Sequence, residues 1–225
     1  MNSKIILVDG ISKVTIIKRK GQRSIRISVS GAVVKVTQPS WLPFSAGEKF
    51  VSSRIAWIKE HIKLDYIYHD NQQIGITHTL KLAKGAKLAR RITEHTLLIR
   101  YPHTVEPSSI IVQEYIIASV QKVLRKQAEA YLPERTMQLA DMFDFEYSTV
   151  KVRTLTRRWG SCNSKKEITF NLRLMELDAL HIDYVILHEL THTLHMNHGS
   201  DFWQHMERVI PNAKKIAKSV RHLQV

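Results

Sequence analysis

The chain holds a single cysteine, Cys162, among its 225 residues. No internal disulfide can form, and no cluster of thiolates can hold a metal, so any metal must sit on histidine and carboxylate. Long apolar runs are missing too. None approaches the roughly 18 to 20 residues that a membrane-crossing helix needs. Met1 to Val14 alternates polar and apolar residues where a signal peptide would carry an apolar core. These absences lead us to expect a soluble, unexported, cytoplasmic protein with no membrane partner. No internal repeat or low-complexity segment interrupts the chain, and a hydrophobic content of 44% is enough for a buried core in one domain or two small ones.

Acidic residues are scarce in one half only. Residues 1 to 105 carry 18 Lys and Arg against 6 Asp and Glu, whereas residues 106 to 225 carry 16 against 14, within a total net charge of +14. The basic half reads as short strands separated by turn residues: Ile5 to Val8, Asp9-Gly10, Val14 to Lys18, Lys20-Gly21, Ser24 to Val29, Ser30-Gly31 and Val33 to Gln38. Helical spacing of Phe50, Val51, Arg54, Ile55, Ile58 and Ile62 then predicts one helix within Ser45 to Tyr68, and Gly75 to Arg100 returns to strand patterning.

Beyond Pro107 the apolar positions Ile110, Ile111, Tyr115, Ile117, Val120, Leu124, Ala128 and Leu132 predict a long amphipathic helix reaching about Phe143, kinked or split at Pro133. Two strands, Val150 to Leu155 and Ile168 to Asn171, flank the segment Arg158-Trp159-Gly160-Ser161-Cys162. A helix follows from about Ala179 with Asp178 as N-cap, and another from about Asp201, capped by Ser200 and stopped near Pro211. The expected fold is α+β: a basic strand-rich module with one helix over 1–105, then a second module over 106–225.

The chemistry concentrates in His188-Glu189-Leu190-Thr191-His192, inside the predicted helix from Ala179. Residues four apart lie one turn apart on the same helical face, so two imidazoles point at one spot. Zinc binds histidine nitrogen, and catalytic sites keep three protein ligands and one open position. Glu189, about 100° round the helix from His188, suits the general base beside a metal-activated water. The three fixed letters arise by chance in roughly 3% of chains of this composition. A further histidine six residues on, His198, makes coincidence a poor explanation.

His198 leads as third ligand, with Glu207 and His195 as alternatives. On a continuous helix His195 would share the face but lie about 10.5 Å along the axis from His188. For His198 to return to the metal, the helix must end soon after Leu194, with Asn197 or Gly199 supplying a left-handed residue.

The second half resembles the YgjP-like metallopeptidase family, described as relatives of the SprT and WLM zinc peptidases. The resemblance rests on Arg158 to Cys162, on Asn171-Leu172-Arg173-Leu174, on Ile182 to His192, and on His198 to Trp203. It covers about residues 150 to 211. It implies a zincin-like domain with His188, His192 and His198 as zinc ligands and Glu189 as catalytic residue. The function that follows is a zinc metallopeptidase acting on protein or peptide substrates through a zinc-activated water. For Arg158 to Cys162 a structural role is favoured, with Trp159 in the core and Gly160 as a bulge, over a role for Arg158 or Ser161 in lining a cleft. Cys162 reads as a lone buried thiol rather than an accessory ligand. The rival reading is a nucleic-acid-binding protein with a structural zinc. A combined reading is a DNA-associated protease docked through its basic front half.

Overall fold

The computed structural model describes every residue except Met1, Asp9, Gly10, Gly31, Ala32, Lys63, Asp65, Gln224 and Val225. The expected turns at Asp9-Gly10 and Gly31 therefore lie outside the described residues. The fold is α+β. Its contacts divide the chain into two units: Met1–Asp70 with Leu82–Arg90 and Ile99–Ala118, and Asn71–Lys81 with Arg91–Leu98 and Ser119–Val225.

In the first unit, β1 (Ser3–Val8), β2 (Ser12–Arg19), β3 (Arg26–Ser30) and β4 (Val33–Pro39) form a sheet in the order β1-β2-β4-β3. Alternation sorts its faces. Val14, Ile16, Val34 and Val36 are fully buried and share one hydrophobic cluster with Val51, Ile58 and Ile62, while Arg26, Ser28 and Lys35 are exposed. Gly21, at φ 77°, supplies the left-handed residue of the expected Lys20-Gly21 turn. The single helix expected between Ser45 and Tyr68 is instead two, α1 (Phe44–Ser53) and α2 (Ile55–His61). They break at Arg54, whose backbone (φ −119°, ψ 12°) leaves the helical range.

Strand patterning over 75–100 resolves into β5 (Gln73–Ile74), β6 (His78–Gly85), β7 (Ala89–Ile92) and β8 (Thr96–Pro102), ordered β5-β6-β8-β7. The long helix α3 (Ile110–Phe143) runs unbroken through Pro133, so the expected split does not occur. Its first turns also face differently from expectation. Val112, Gln113 and Ile116 turn inward while Ile111 is exposed, because the Gln113 amide donates to Pro107 O (2.9 Å) and Tyr68 O (2.9 Å) and accepts from Tyr68 N (2.8 Å). A buried amide with three partners decides the rotation there, since leaving it unpaired would cost more than exposing one isoleucine.

The rest of the second unit carries the candidate site. β9 (Thr149–Arg153), β10 (Gly160–Cys162) and β11 (Glu167–Asn171) form a sheet in the order β10-β11-β9, with β11 parallel to β9 and antiparallel to β10. The segment 158–162, read from sequence as a connection, thus contains an edge strand. Gly160 pairs with Phe170 in regular register, so it is no bulge. After a 3-10 turn at Leu172–Glu176 come α4 (Ala179–Thr191), α5 (Ser200–Val209) and α6 (Ala213–His222). Asp178 caps α4 as expected, its carboxylate accepting from His181 N at 2.9 Å. Ser200 does not cap α5: Gly199 holds that position, and Ser200 Oγ donates to Asp201 Oδ1 at 3.1 Å. Helix α6 was not anticipated, although Ala213, Ile216, Ala217 and Val220 are buried at helical spacing.

Candidate metal centre

Helix α4 is buried on most of its circumference, through Ile182, Tyr184, Val185, Ile186, Leu187, Glu189, Leu190 and Thr191. Arg135 on α3 grips Asp183 near its start with two hydrogen bonds, 2.8 and 2.6 Å, in the bidentate geometry that fixes both partners. At the other end Thr191 Oγ1 donates back to Leu187 O at 2.7 Å and touches Met206 Sδ on α5 at 3.2 Å. A helix anchored at both ends holds the side chains of its last turns in place.

His188 and His192 project from one face of those turns, as their spacing requires. His192 Nε2 lies 3.2 Å from His188 Nε2, and His198 Nε2 lies 3.0 Å from it. Among the described residues these three form the one group of histidine, cysteine or acidic side chains able to share a metal ion, with donor atoms within 4.8 Å of one another. Two nitrogens bound tetrahedrally to zinc at about 2.0 to 2.1 Å lie about 3.3 to 3.4 Å apart, so the donor spacing suits such an ion. Burial, then the neighbouring His192 and His198, pushes His188 down to about 3, so its ring stays neutral at physiological pH as a ligand must. His192 is also held low by burial. Its Nδ1 donates to His195 O at 2.9 Å, which fixes the tautomer and leaves the Nε2 lone pair turned to the cluster.

The route by which His198 comes back differs from the expected one. Asn197 and Gly199 have ordinary negative φ. The chain instead tightens at the helix end, with Thr193 N donating to Leu190 O (2.9 Å) and Leu194 N to Thr191 O (3.1 Å). Such three-residue turns bend the backbone without a left-handed residue. His195 therefore contributes its carbonyl, while its ring packs on His205 with centroids 5.6 Å apart. Glu207 faces elsewhere as well, its Oε1 accepting from Lys214 N at 3.2 Å in the first turn of α6.

Glu189 stands beside the cluster with 5% of its surface exposed. Burial pushes its carboxyl up to about 8, against the pull of the Arg158 guanidinium and of a hydrogen bond from the Cys162 backbone N–H. Its Oε2 is buried and has no hydrogen-bond partner among the described residues. An orphaned carboxylate oxygen next to three converging imidazoles marks a place built for a polar reactant or an ion rather than for packing.

Sequence reasoning missed two contributors. A Cβ at Gly160 would lie 2.7 Å from Glu189 Oε1 and 2.8 Å from its Cγ, so glycine is required because the carboxylate presses on the backbone of β10. Phe202, fully buried on α5, sets its ring 4.7 to 5.0 Å from all three imidazoles and forms the floor under them. The sequence signal for Phe202 was its place within the His198 to Trp203 motif, four residues after His198. Cys162 stays outside the cluster, its thiol raised to about 11 by burial and by the Glu189 charge. Trp159 is buried as expected. Tyr184 lines the same cleft as His188 and Glu189.

An α+β framework here carries a three-histidine cluster that could hold a metal ion beside a buried carboxylate. The family model "YgjP-like, metallopeptidase domain" matches residues 23–223, and the chain belongs to that family. The match extends well beyond residues 150 to 211 and takes in most of the basic front half. Such a family implies a metal ion and protein or peptide substrates. Solved structures that resemble this chain include the metallopeptidase zymogen abylysin of Pyrococcus abyssi, at 25% identity over 39% of this chain and 89% of that one, with a TM-score of 0.36. The metallopeptidase zymogen jannalysin of Methanocaldococcus jannaschii is 19% identical over 39% and 91%, with a TM-score of 0.35. No curated protein matches the chain. Among the described residues no helix is long and apolar enough to cross a membrane.

Proposed function

We propose that this protein is a zinc-dependent endopeptidase in which His188, His192 and His198 hold the metal and Glu189 is the general base. The observation that carries the reading is the convergence of three imidazole Nε2 atoms, two of them 3.0 and 3.2 Å from the third, beside a buried carboxylate with an unpartnered oxygen. Neutral imidazoles are borderline-soft donors that suit zinc, and three of them leave one coordination position for chemistry. A zinc ion held by these residues would supply Lewis-acid chemistry, acidifying a water toward a pKa of about 7 and polarising a scissile carbonyl.

The remaining steps belong to the chain's own groups. Glu189 Oε2 accepts the proton of the attacking water and delivers it to the leaving amine. Burial raises the proton affinity of that carboxylate, and the Arg158 guanidinium and the Cys162 N–H oppose the rise. Gly160 lets Glu189 approach β10 closely enough to be held in one orientation. Phe202 excludes water from beneath the imidazoles, which strengthens every electrostatic contact above it. The strand available for an extended substrate is β10, at the edge of its sheet, and not β11, which is paired on both sides. A peptide added to β10 gains main-chain hydrogen bonds and lies alongside Glu189.

Metal analysis of the purified protein and of Glu189→Gln, with hydrolysis of an unfolded protein assayed on both, tests the proposal. The expected result is about one zinc per chain in both forms and cleavage by the wild type alone. Equal cleavage by the two forms would remove Glu189 from the mechanism, and a metal-free wild type would remove the zinc site.

A further inference from the structure

The metal-facing cleft has a volume of about 640 Å³, and its lining has a marked charge asymmetry. Arg157, Arg158 and Arg221 all border it, and Glu189 is the one carboxylate among its lining residues. None of the three guanidinium groups has an ion-pair partner among the described residues, although other arginines of this unit do: Arg125 with Glu129, Arg135 with Asp183 and Arg173 with Glu176. Residues 106 to 225 carry nearly balanced charge, 16 basic against 14 acidic, so three unpaired arginines on one cleft are not a by-product of overall basicity.

The arginines occupy different walls. Arg157 and Arg158 precede β10, and Arg158 acts electrostatically on Glu189, which puts it at the reacting end. Arg221 sits in the last turn of α6 and acts on the Tyr184 phenol, whose oxygen lies 3.5 Å from His188 Nδ1. The same cleft is lined by the apolar residues Trp203 of α5, Ala217 and Val220 of α6, and Leu223 just beyond it. Lys214 lies over the Trp203 ring, 5.9 Å from its centroid, and adds a fourth cation beside these residues. A guanidinium offers five N–H donors in a planar fork that matches a carboxylate, and like charges gathered without partners gain most from a bound anion.

We propose that this cleft selects peptides carrying a carboxylate next to an apolar residue, gripped by Arg221 and Arg157 while the apolar side chain lies on Val220 and Trp203. This rests on the peptidase reading of the site. The carboxylate has two sources of the same chemistry, an Asp or Glu side chain or the free C-terminus of the substrate.

The test measures binding by the zinc-loaded Glu189→Gln protein, using fluorescently labelled peptides of one leucine-containing framework. Each peptide carries Glu, Gln or Lys at one central position, with a free or an amidated C-terminus, and affinity is read by anisotropy. The expected result is that a carboxylate tightens binding by about tenfold over its neutral counterpart and that Lys weakens it. A Glu preference that survives amidation assigns the side chain; a preference seen only with the free terminus assigns the C-terminus. Arg221→Gln and Arg157→Gln should each cut the Glu-over-Gln preference by roughly three- to tenfold, read as the ratio of the two affinities in the same variant. Equal affinities across all peptides, or no binding of any, would overturn the inference. Cleavage of the same peptides by the wild type separates the two ideas. Charge-selective binding without cleavage removes the peptidase reading and keeps the selectivity, whereas cleavage indifferent to charge does the reverse.

Discussion

Two histidine clusters in the second unit show opposite economies of hydrogen bonding. Around His78 every polar atom is matched: Nε2 donates to Thr93 O at 3.0 Å, and Nδ1 accepts from Gln127 Nε2 at 3.0 Å with Thr77 Oγ1 at 2.8 Å. Gln127 completes the set, accepting from Ile76 N at 2.9 Å and donating to Ile74 O at 3.2 Å. Around His188 the Nε2 atoms of three imidazoles face one another, and Glu189 Oε2 faces no partner. His78 is buried, whereas His188 and His192 are half-buried and His198 is exposed. The first cluster fixes a turn at Gly75, whose φ of 59° suits only a residue tolerant of the left-handed region. The second holds polar groups ready for something that arrives from outside the chain. A buried histidine is thus informative only once its partners are counted.

The largest effect that would sharpen this contrast is on the metal. His188→Ala and His192→Ala should each abolish stoichiometric zinc, a loss of roughly a thousandfold or more in affinity, while His78→Ala should keep the zinc content of the wild type, as measured by plasma emission on dialysed protein. Zinc retained by the His188 variant would erase the distinction between the clusters.

Next comes Glu189→Gln, expected to lower kcat/KM by about 10²- to 10⁴-fold with zinc content unchanged. The same variant has a stability signature in metal-free protein. Glu189 has its folded pKa raised to about 8 from 4.5, so its contribution is fully present below 4.5 and lost as pH rises through 8. His188 has its folded pKa lowered to about 3 from 6.5, so its contribution is present above 6.5 and lost as pH falls toward 3. Metal-free wild type should therefore lose stability on both sides, and the Gln variant only on the acid side. Thermal unfolding from pH 4.5 to 8.5 reads this as a Tm gain for the variant that grows with pH.

Gln127→Ala breaks the other cluster and should cost roughly 2 to 3 kcal/mol of unfolding free energy, because it strands Ile76 N and Ile74 O and takes one of two partners from His78 Nδ1. Denaturant titration measures this, with zinc content as the control that should not move. Gly160→Ala should cost about 1 to 3 kcal/mol through the overlap with Glu189, and should slow hydrolysis by displacing the carboxylate. The smallest effect belongs to His195→Ala. It should leave zinc bound, since only the His195 backbone carbonyl reaches His192. Loss of zinc there would show that the loop after α4 depends on the His195 ring.

Local pattern accounts for much of what was legible. The capped start of α4 at Asp178, the strands β9 and β11, and the front sheet all followed from capping chemistry and from periods of 3.6 and 2. The break at Arg54, the inward turn of Gln113 and the unbroken passage through Pro133 did not, because each depends on what packs against the helix rather than on its own letters. The strand at Gly160–Cys162 was hidden for the same reason: three residues carry too little alternation to announce a strand, and only pairing with Ile168–Phe170 makes them one.

The sequence by itself placed His188 and His192 on one face, since a helix does so whatever surrounds it, and by spacing it favoured His198 over Glu207 and His195. The tertiary structure decided which of the candidate third residues meets that face, turning Glu207 to Lys214 N and the His195 ring to His205. It also decided that Gly160 yields its side-chain space to Glu189, that Phe202 lies beneath the imidazoles, and that Arg157, Arg158 and Arg221 border one cleft. The physical reason is range. Hydrogen-bonded helical geometry is set within a turn, whereas burial, desolvation and the convergence of charges arise between segments tens of residues apart, which only the folded chain brings into contact.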